Sequence, residues 1–109
     1  MSTTQVCMVY ITAGNYDEAR VIGKALVEEH LAACANILEN MKSLYFWENA
    51  LQDDSEAVLI VKTQTRLIDK MTQRITALHS YDVPCVVALP IVGGNPEYIR
   101  WVCDETGGE

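Results

Sequence analysis

One histidine, one tyrosine and one aspartate lie within four positions, at His79, Tyr81 and Asp82, shortly before Pro84. A neutral imidazole suits Cu(II), which outranks the other divalent first-row ions at nearly any nitrogen site, and a carboxylate adds an oxygen ligand. A histidine in the last turn of a helix also interacts favourably with the negative helix end and its free carbonyls. The stretch therefore carries two hypotheses for His79: a metal ligand together with Asp82, or a helix cap.

The cysteines do not form a metal motif of their own. Neither a CxxC pair nor the spacing of a zinc knuckle relates Cys7, Cys34, Cys85 and Cys103. Reduced thiols buried as small apolar groups are therefore the preferred interpretation. Because one imidazole alone is a weak site, copper would also need Asp82, a thiolate such as Cys7 or Cys85, or groups from a neighbouring subunit.

The composition indicates one acidic globular domain, spanning residues 1–109. A net charge of −7, with no cluster of Lys and Arg, argues against nucleic acid as a partner. The longest apolar run, residues 83–94, is too short to span a bilayer and contains two prolines. The first residues lack the basic start of a signal peptide, so we predict a cytoplasmic protein with no membrane partner.

Two kinds of apolar pattern predict the strands. Segments 5–12 and 85–92 are apolar on both alternating faces, which is typical of strands covered on both sides. Residues 34–64 form two extended, β-branched and aromatic segments. A polar stretch, residues 48–54, interrupts them, so we predict a long hairpin that turns across this stretch.

Apolar residues at helical spacing predict three helices, over 14–33, 65–80 and 95–103. Asn15 or Asp17 is the predicted N-cap of the first, Thr65 of the second and Asn95 of the third. The resulting order is β-α-β-β-α-β plus a C-terminal helix, an α+β ferredoxin-like pattern. Because its two long helices pack on one side of the sheet, we expect the other apolar face to meet further subunits in a cyclic oligomer.

Five blocks in this order resemble the CutA family of divalent-cation tolerance proteins: "LAACANI" (31–37), "SLYFWEN" (43–49), "EAVLIVKT" (56–63), "HSYDVP" (79–84) and "LPIVGGNPEYIRW" (89–101). The resemblance implies a CutA-like domain in a PII-like homotrimer. It also implies binding of copper or another divalent metal ion, a part in the response to metal ions, and no organic cofactor.

The chain departs from the family pattern at the implied metal site. Some members carry a cysteine on the first strand and a second histidine just before this one, where the present sequence has Ile11 and Leu78. Ser80 and Asp82 replace the proline and glutamate of the usual motif. Metal binding at His79 and Asp82 is therefore a hypothesis that the resemblance carries and these substitutions weaken.

The resemblance further implies intersubunit clefts, lined by Tyr45, Trp47, Glu48, Lys62, Tyr81 and Trp101. Such a cleft would bind a small anion or metabolite. The alternative is that these aromatic residues only pack across the sheet and in interfaces, while Lys62 pairs with Glu48 or Glu56. A second functional hypothesis follows: a PII-like signalling or scaffold module that binds a small ligand or a partner protein in its clefts.

Enzymatic motifs are missing from the sequence. It contains no GxSxG, no phosphate-binding glycine loop and no HExxH. Of the two histidines, His30 is expected on the solvated face of the first helix. We therefore predict a protein that is not an enzyme.

Overall fold

Four strands and three helices follow one another in the predicted order, in a computed structural model that describes residues 5–108. The strands are β1 (Val6–Ala13), β2 (Cys34–Trp47), β3 (Ala50–Gln64) and β4 (Val86–Pro90). The helices are α1 (Tyr16–Glu28), α2 (Ile68–Leu78) and α3 (Pro96–Glu105). The strands form one antiparallel sheet in the order β2-β3-β1-β4, which confirms the predicted ferredoxin-like fold.

One face of the sheet carries the main core. Val9 and Ile11 of β1 pair with Val61 and Leu59 of β3, and α1 and α2 cover this face. The helices contribute apolar side chains at helical spacing: Ile22 and Leu26 from α1, and Met71 and Ile75 from α2. Among residues 5–108, no helix has both the length and the apolar character needed to cross a membrane.

The other face, called the open face here, remains largely uncovered. Tyr10 and Ile60 are paired there, between Leu38 on one outer strand and Val87 and Leu89 on the other. Leu38, Val87 and Leu89 are 58%, 51% and 44% exposed. Helix α3 covers only the end of the sheet near Val6, through a cluster of Val6, Ala33, Val102 and Cys103. The open face is therefore an apolar surface available to another chain.

Asparagine caps begin two of the helices. The side chain of Asn15 accepts from Glu18 N at the start of α1, and that of Asn95 accepts from Glu97 N at the start of α3. The prediction of Thr65 as the cap of α2 is wrong, because a 3₁₀ turn (Thr65–Leu67) precedes the helix and Leu67 occupies the cap position without a side-chain hydrogen bond.

Helix α1 is shorter than predicted, ending at Glu28 and not at residue 33. His30 adopts a left-handed conformation with φ 58°, and the N–H groups of Leu31 and Ala32 both donate to Leu26 O. Together with the bonds from Glu29 N to Ala25 O and from His30 N to Val27 O, they satisfy carbonyls of the last turn, and the chain turns toward β2. The buried apolar residues 31–33, which extended the helical pattern in the sequence, belong to this connection.

The β2–β3 hairpin turns at two residues. Glu48 and Asn49 have φ of 52° and 65°, and Trp47 pairs with Ala50 directly across the turn. The prediction that the turn spans residues 48–54 is wrong, because residues 51–54 continue β3 and pair with β2. Their polar side chains are compatible with a strand here because the outer half of the hairpin is largely exposed on both faces.

A bulge interrupts β2 at Glu39 and Asn40. Leu38 pairs with Val58 and Met41 pairs with Glu56, so two residues of β2 oppose one residue of β3. Because side chains alternate between the faces of a strand, the bulge changes which residues of β2 share a face with Glu56. Beyond it these are the odd-numbered residues, from Met41 to Trp47.

Candidate functional site

His79 follows α2 in extended conformation, with φ −83° and ψ 145°, and its side chain is fully buried. Its imidazole Nε2 lies 2.7 Å from the carbonyl oxygen of Thr12, at the end of β1. His79 occupies the C-cap position of α2, in agreement with the cap hypothesis, but its imidazole bonds to a strand carbonyl and not to the free carbonyls of the helix. His79 instead joins the end of α2 to the sheet.

Both imidazole nitrogens of His79 are engaged. A carbonyl oxygen only accepts, so Nε2 carries the proton and donates to Thr12. The backbone N–H of Tyr81 donates to Nδ1 at 3.0 Å, which leaves that nitrogen without a proton. A metal ion would have to displace one of these bonds to reach the imidazole.

Glu18 connects the start of α1 to the segment after His79. Its Oε1 accepts from Gly14 N and its Oε2 accepts from Ser80 N, each at 2.8 Å. Burial raises the pKa of this carboxyl, but the hydrogen bonds from Ser80 and Gly14 outweigh it, so the pKa is lowered below its ordinary value. Glu18 does not stand out in the sequence, since its partner Ser80 is 62 positions away.

Tyr81 extends the same network to β3. Its ring centroid is 4.6 Å from that of His79, and its hydroxyl donates to Glu56 Oε2 at 2.8 Å. Burial, together with the hydrogen bond and the negative charge of Glu56, raises the pKa of the phenol well above its ordinary range. Tyr81 therefore remains a hydrogen-bond donor at physiological pH.

A cavity of about 760 Å³, called the cleft here, opens between the hairpin, β1 and the segment after His79. Of the predicted site residues, Tyr45, Trp47, Tyr81 and Asp82 line it. Its walls also include Cys85, considered from the sequence only as a thiolate ligand, and residues that the sequence did not single out, namely Tyr10, Met41 and Asp54 among others. Glu56, which the sequence suggested only as a partner of Lys62, lies at its wall as well. The volume is within the range of small-molecule sites.

Hydrogen bonds fix several of the aromatic side chains in the cleft. The Tyr45 hydroxyl donates to Asp54 Oδ2 at 2.6 Å, and the Tyr10 hydroxyl donates to Met41 Sδ at 3.3 Å. The hydrogen bond with Asp54 raises the pKa of Tyr45, so this phenol too stays protonated. The register of β2 against β3 was the signal that would have identified Asp54, because it pairs with Ser43 on the face of Tyr45.

The other three predicted cleft residues do not line this cavity. Glu48 lies in the hairpin turn, and Lys62 donates to Asn36 Oδ1 at 2.6 Å on the open face, so the expected pairing with Glu48 or Glu56 is not observed. Trp101 packs against Tyr98 on α3, with ring centroids 5.5 Å apart. Within one chain, the predicted set thus divides into residues at the cleft and residues elsewhere.

One chain does not provide a set of metal ligands at His79. Among residues 5–108, no three His, Cys, Asp or Glu side chains are grouped so that they could hold a metal ion. Ile11 is fully buried and Leu78 packs against the main core. Asp82 is exposed and lines the cleft. The residues present therefore do not fit a copper site built on His79 within a single chain.

The four cysteines are free thiols. Cys7 and Cys103 are buried, which agrees with the preferred interpretation, whereas Cys85 is exposed at the cleft. Burial raises the pKa of the Cys7 thiol, against a hydrogen bond with Thr65, so Cys7 does not favour the thiolate form that binds metals.

Comparison with known proteins establishes the family. A family model described as "CutA1 divalent ion tolerance protein" matches residues 7–105. The chain belongs to the CutA family. The divalent-cation tolerance protein CutA of Thermus thermophilus is 48% identical over 100 residues, which are 92% of this chain and 97% of that protein. The resemblance seen in the sequence is thereby confirmed.

Solved CutA structures share the fold. CutA1 from Oryza sativa superposes with a TM-score of 0.93 at 41% identity, covering 99% of this chain and 100% of that one. The Thermus thermophilus structure gives a TM-score of 0.91 at 47% identity, with 94% and 99% covered. Protein CutA of Arabidopsis thaliana, described as chloroplastic, is 41% identical over 95% of this chain, but the chain spans only 57% of that protein.

Proposed function

We propose that this CutA protein takes part in the response to divalent metal ions as a binding protein and not as an enzyme. The observation that carries the proposal is the family match over residues 7–105, because the family and its relatives are described by tolerance to divalent ions and by no reaction. A single domain over residues 1–109 would perform this role. The cytoplasm is the proposed compartment, although relatives are described as chloroplastic and periplasmic, and cell fractionation tests it.

We also propose that the active form is a homotrimer. The apolar open face supports this, since it exposes Leu38 on β2 at one side of the sheet and Val87 and Leu89 on β4 at the other. A closed ring of three sheets would remove these side chains from water and leave α1 and α2 outside.

For the metal itself, Asp82 is the more accessible of the two proposed ligands. Its side chain is exposed at the cleft, close to the exposed Cys85, whereas the His79 imidazole is buried between Thr12 and Tyr81. Copper or another divalent cation would therefore bind through Asp82 with groups of a neighbouring subunit, and His79 would take part only after releasing a hydrogen bond.

A Cu(II) titration by calorimetry tests this proposal on chelator-stripped protein with accessible thiols blocked. We compare the parent with Asp82→Asn and His79→Asn, and use His30→Asn as the control because His30 is exposed and its φ of 58° suits asparagine. Saturable binding that is lost in Asp82→Asn and kept in His30→Asn supports the proposal. Binding that is absent, or equal in all four proteins, rejects it.

We propose as a second role that the cleft binds a small ligand, as expected of a PII-like module. Its volume of about 760 Å³ and its combination of aromatic walls with polar groups support this role. Thermal stabilisation of the protein by a small molecule, reduced by substitution of Trp47, is the expected result. The two roles are compatible, because binding of a small ligand in the cleft and binding of a metal ion can be thermodynamically coupled in one protein.

A further inference from the structure

Glu56 is a buried carboxylate with spare acceptor capacity. Glu56 is 8% exposed and lies at the wall of the cleft, where its Oε2 accepts a hydrogen bond from the Tyr81 hydroxyl. Within residues 5–108, its other oxygen, Oε1, accepts no hydrogen bond. Within that range this oxygen is not fully buried, so it is accessible to a donor group on a ligand in the cleft.

The charge of the cleft points to a positive partner. Three carboxylates line it, from Asp54, Glu56 and Asp82. Lys42 is the one lysine or arginine among the lining residues of the described chain, but its Nζ lies 3.1 Å from Asp53 and 3.5 Å from Ser55 Oγ. Lys42 pairs with Ser55 in the hairpin, on the face opposite to Glu56 and Asp54. The carboxylates of the cleft are therefore not neutralised from within the described chain.

The aromatic lining favours an organic cation. Tyr10, Tyr45, Trp47 and Tyr81 all line the same cavity. The negative faces of such rings attract ammonium and guanidinium groups, and their area favours an apolar body. Tyr45 and Tyr81 also donate to Asp54 and Glu56, which holds these two carboxylates in place for a ligand.

We propose that the cleft binds an organic cation, an ammonium or guanidinium group on an apolar or aromatic body, with Glu56 and Asp54 as its counter-ions. The inference rests on the proposed ligand-binding role of the cleft and specifies the ligand class. It differs from the small anion expected from the sequence, because within one chain Lys62 binds Asn36 and does not line the cavity. A divalent metal fits less well, since it needs several oxygen ligands at once and residues 5–108 provide no group of three.

A set of matched probes tests the inference on the assembled protein. Calorimetry measures the binding of 1-naphthylmethylammonium, 1-naphthylmethanol and 1-naphthoate, which share a ring system and differ in charge. The ammonium is expected to bind saturably, once per chain, and more tightly than the alcohol, with an affinity that falls as salt is added. The naphthoate is expected not to bind, because it would meet three carboxylates.

Matched substitutions at the cleft and away from it provide the controls. Glu56→Gln is expected to weaken ammonium binding at least about tenfold, and Asp54→Asn several-fold, because each removes a counter-ion. Asp104→Asn, exposed on α3 and away from the cleft, is expected to leave the affinity within about twofold. Trp47→Leu and Phe46→Leu form a second pair, of which only the first lines the cleft.

The possible results distinguish a failure of the cationic ligand class from a failure of the ligand-binding role of the cleft. If naphthoate binds as tightly as the ammonium and Trp47→Leu weakens it, the cleft binds ligands but the cationic class is wrong. If none of the three probes binds, the ligand-binding role itself fails. Equal effects of Asp104→Asn and Asp54→Asn would place any binding outside the cleft. Saturable Cu(II) binding lost in Asp54→Asn, without ammonium binding, would assign the carboxylates to a metal instead.

Discussion

At the scale of single residues, the segment from His79 to Asp82 is a structural junction. His79 bonds to Thr12 on β1, Ser80 bonds to Glu18 on α1, and Tyr81 bonds to Glu56 on β3. The reactive residue types in this segment can therefore be explained without a metal ion. Three consecutive residues connect the loop to three different secondary-structure elements. Each connection spans at least 25 positions of the chain, so the types were visible in the sequence but their partners were not.

Removing the buried imidazole should destabilise the fold. His79→Ala leaves the Thr12 carbonyl and the Tyr81 amide without their partners and opens a cavity, so we expect the free energy of unfolding to fall by about 2–4 kcal/mol. Chemical denaturation in chelator-containing buffer, at constant protein concentration, measures this change. His30→Asn serves as the exposed control and should stay within about 0.5 kcal/mol of the parent. A His79→Ala protein as stable as the parent would show that the junction does not depend on the imidazole.

Glu18 should make stability depend on pH. Its pKa is lower in the folded chain than in the unfolded one, where it is about 4.3, so its ionised form stabilises the fold above that pH. This contribution is lost as the pH falls through the lower, folded pKa. We expect the decline of unfolding free energy below about pH 4.3 to be shallower in Glu18→Gln than in the parent. Glu28→Gln, exposed on the same helix, should retain the steeper decline.

At the scale of elements, hydrophobic patterns predicted all four strands and three helices, because the apolar residues of each element follow the period of a strand or a helix. The predicted boundaries of elements were wrong where the local composition suggests one structure and the observed packing or strand pairing another. Leu31 to Ala33 continue a helical pattern but are buried in a connection, and Gln52 to Asp54 have the composition of a loop but pair within a strand. The bulge at Glu39 and Asn40 was not predictable either, since it depends on the register between two strands.

The contact of α1 with the sheet leaves no room at Gly23. A Cβ there would lie 3.0 Å from Leu59 Cδ1 and 3.1 Å from Ala35 Cβ, both within the sheet. We expect Gly23→Ala to destabilise the protein by about 1–3 kcal/mol, despite alanine's better helix propensity of about 1 kcal/mol, because Ala35 cannot move without its strand. Thermal unfolding compares it with Gly93→Ala, where a Cβ meets nothing within 4 Å and little change is expected. A more stable Gly23→Ala would mean that helix and sheet separate easily.

At the scale of the whole molecule, the apolar surface is unequally distributed. The helix face is covered within the chain, whereas the open face and the outer hairpin expose large side chains such as Val87, Phe46 and Trp47. This asymmetry follows from the fold, because two helices on one side of a four-stranded sheet leave the other side without a layer. The sequence predicted this asymmetry through strands that are apolar on both faces. The proposed number of three subunits comes only from the resemblance to the CutA family.

A charge on the open face should prevent assembly. Val87→Glu places a carboxylate beside Tyr10, with which Val87 pairs, so we expect the mass in solution to fall from that of a trimer to that of a single chain. Analytical ultracentrifugation at micromolar concentration measures the mass. Val92→Glu is the control, because Val92 follows β4 and is 81% exposed, and it should leave the trimer intact. A parent protein with the mass of one chain would reject the trimer.

The bulge at Glu39 and Asn40 also determines how this protein can be engineered as a sensor. Beyond it, odd-numbered positions of β2 face the cleft and even-numbered positions face away, the reverse of the order before it. A library that diversifies ligand specificity should therefore vary residues such as Ser43, Tyr45 and Trp47. A fluorescent label belongs on Phe46, which is 74% exposed and does not line the cavity.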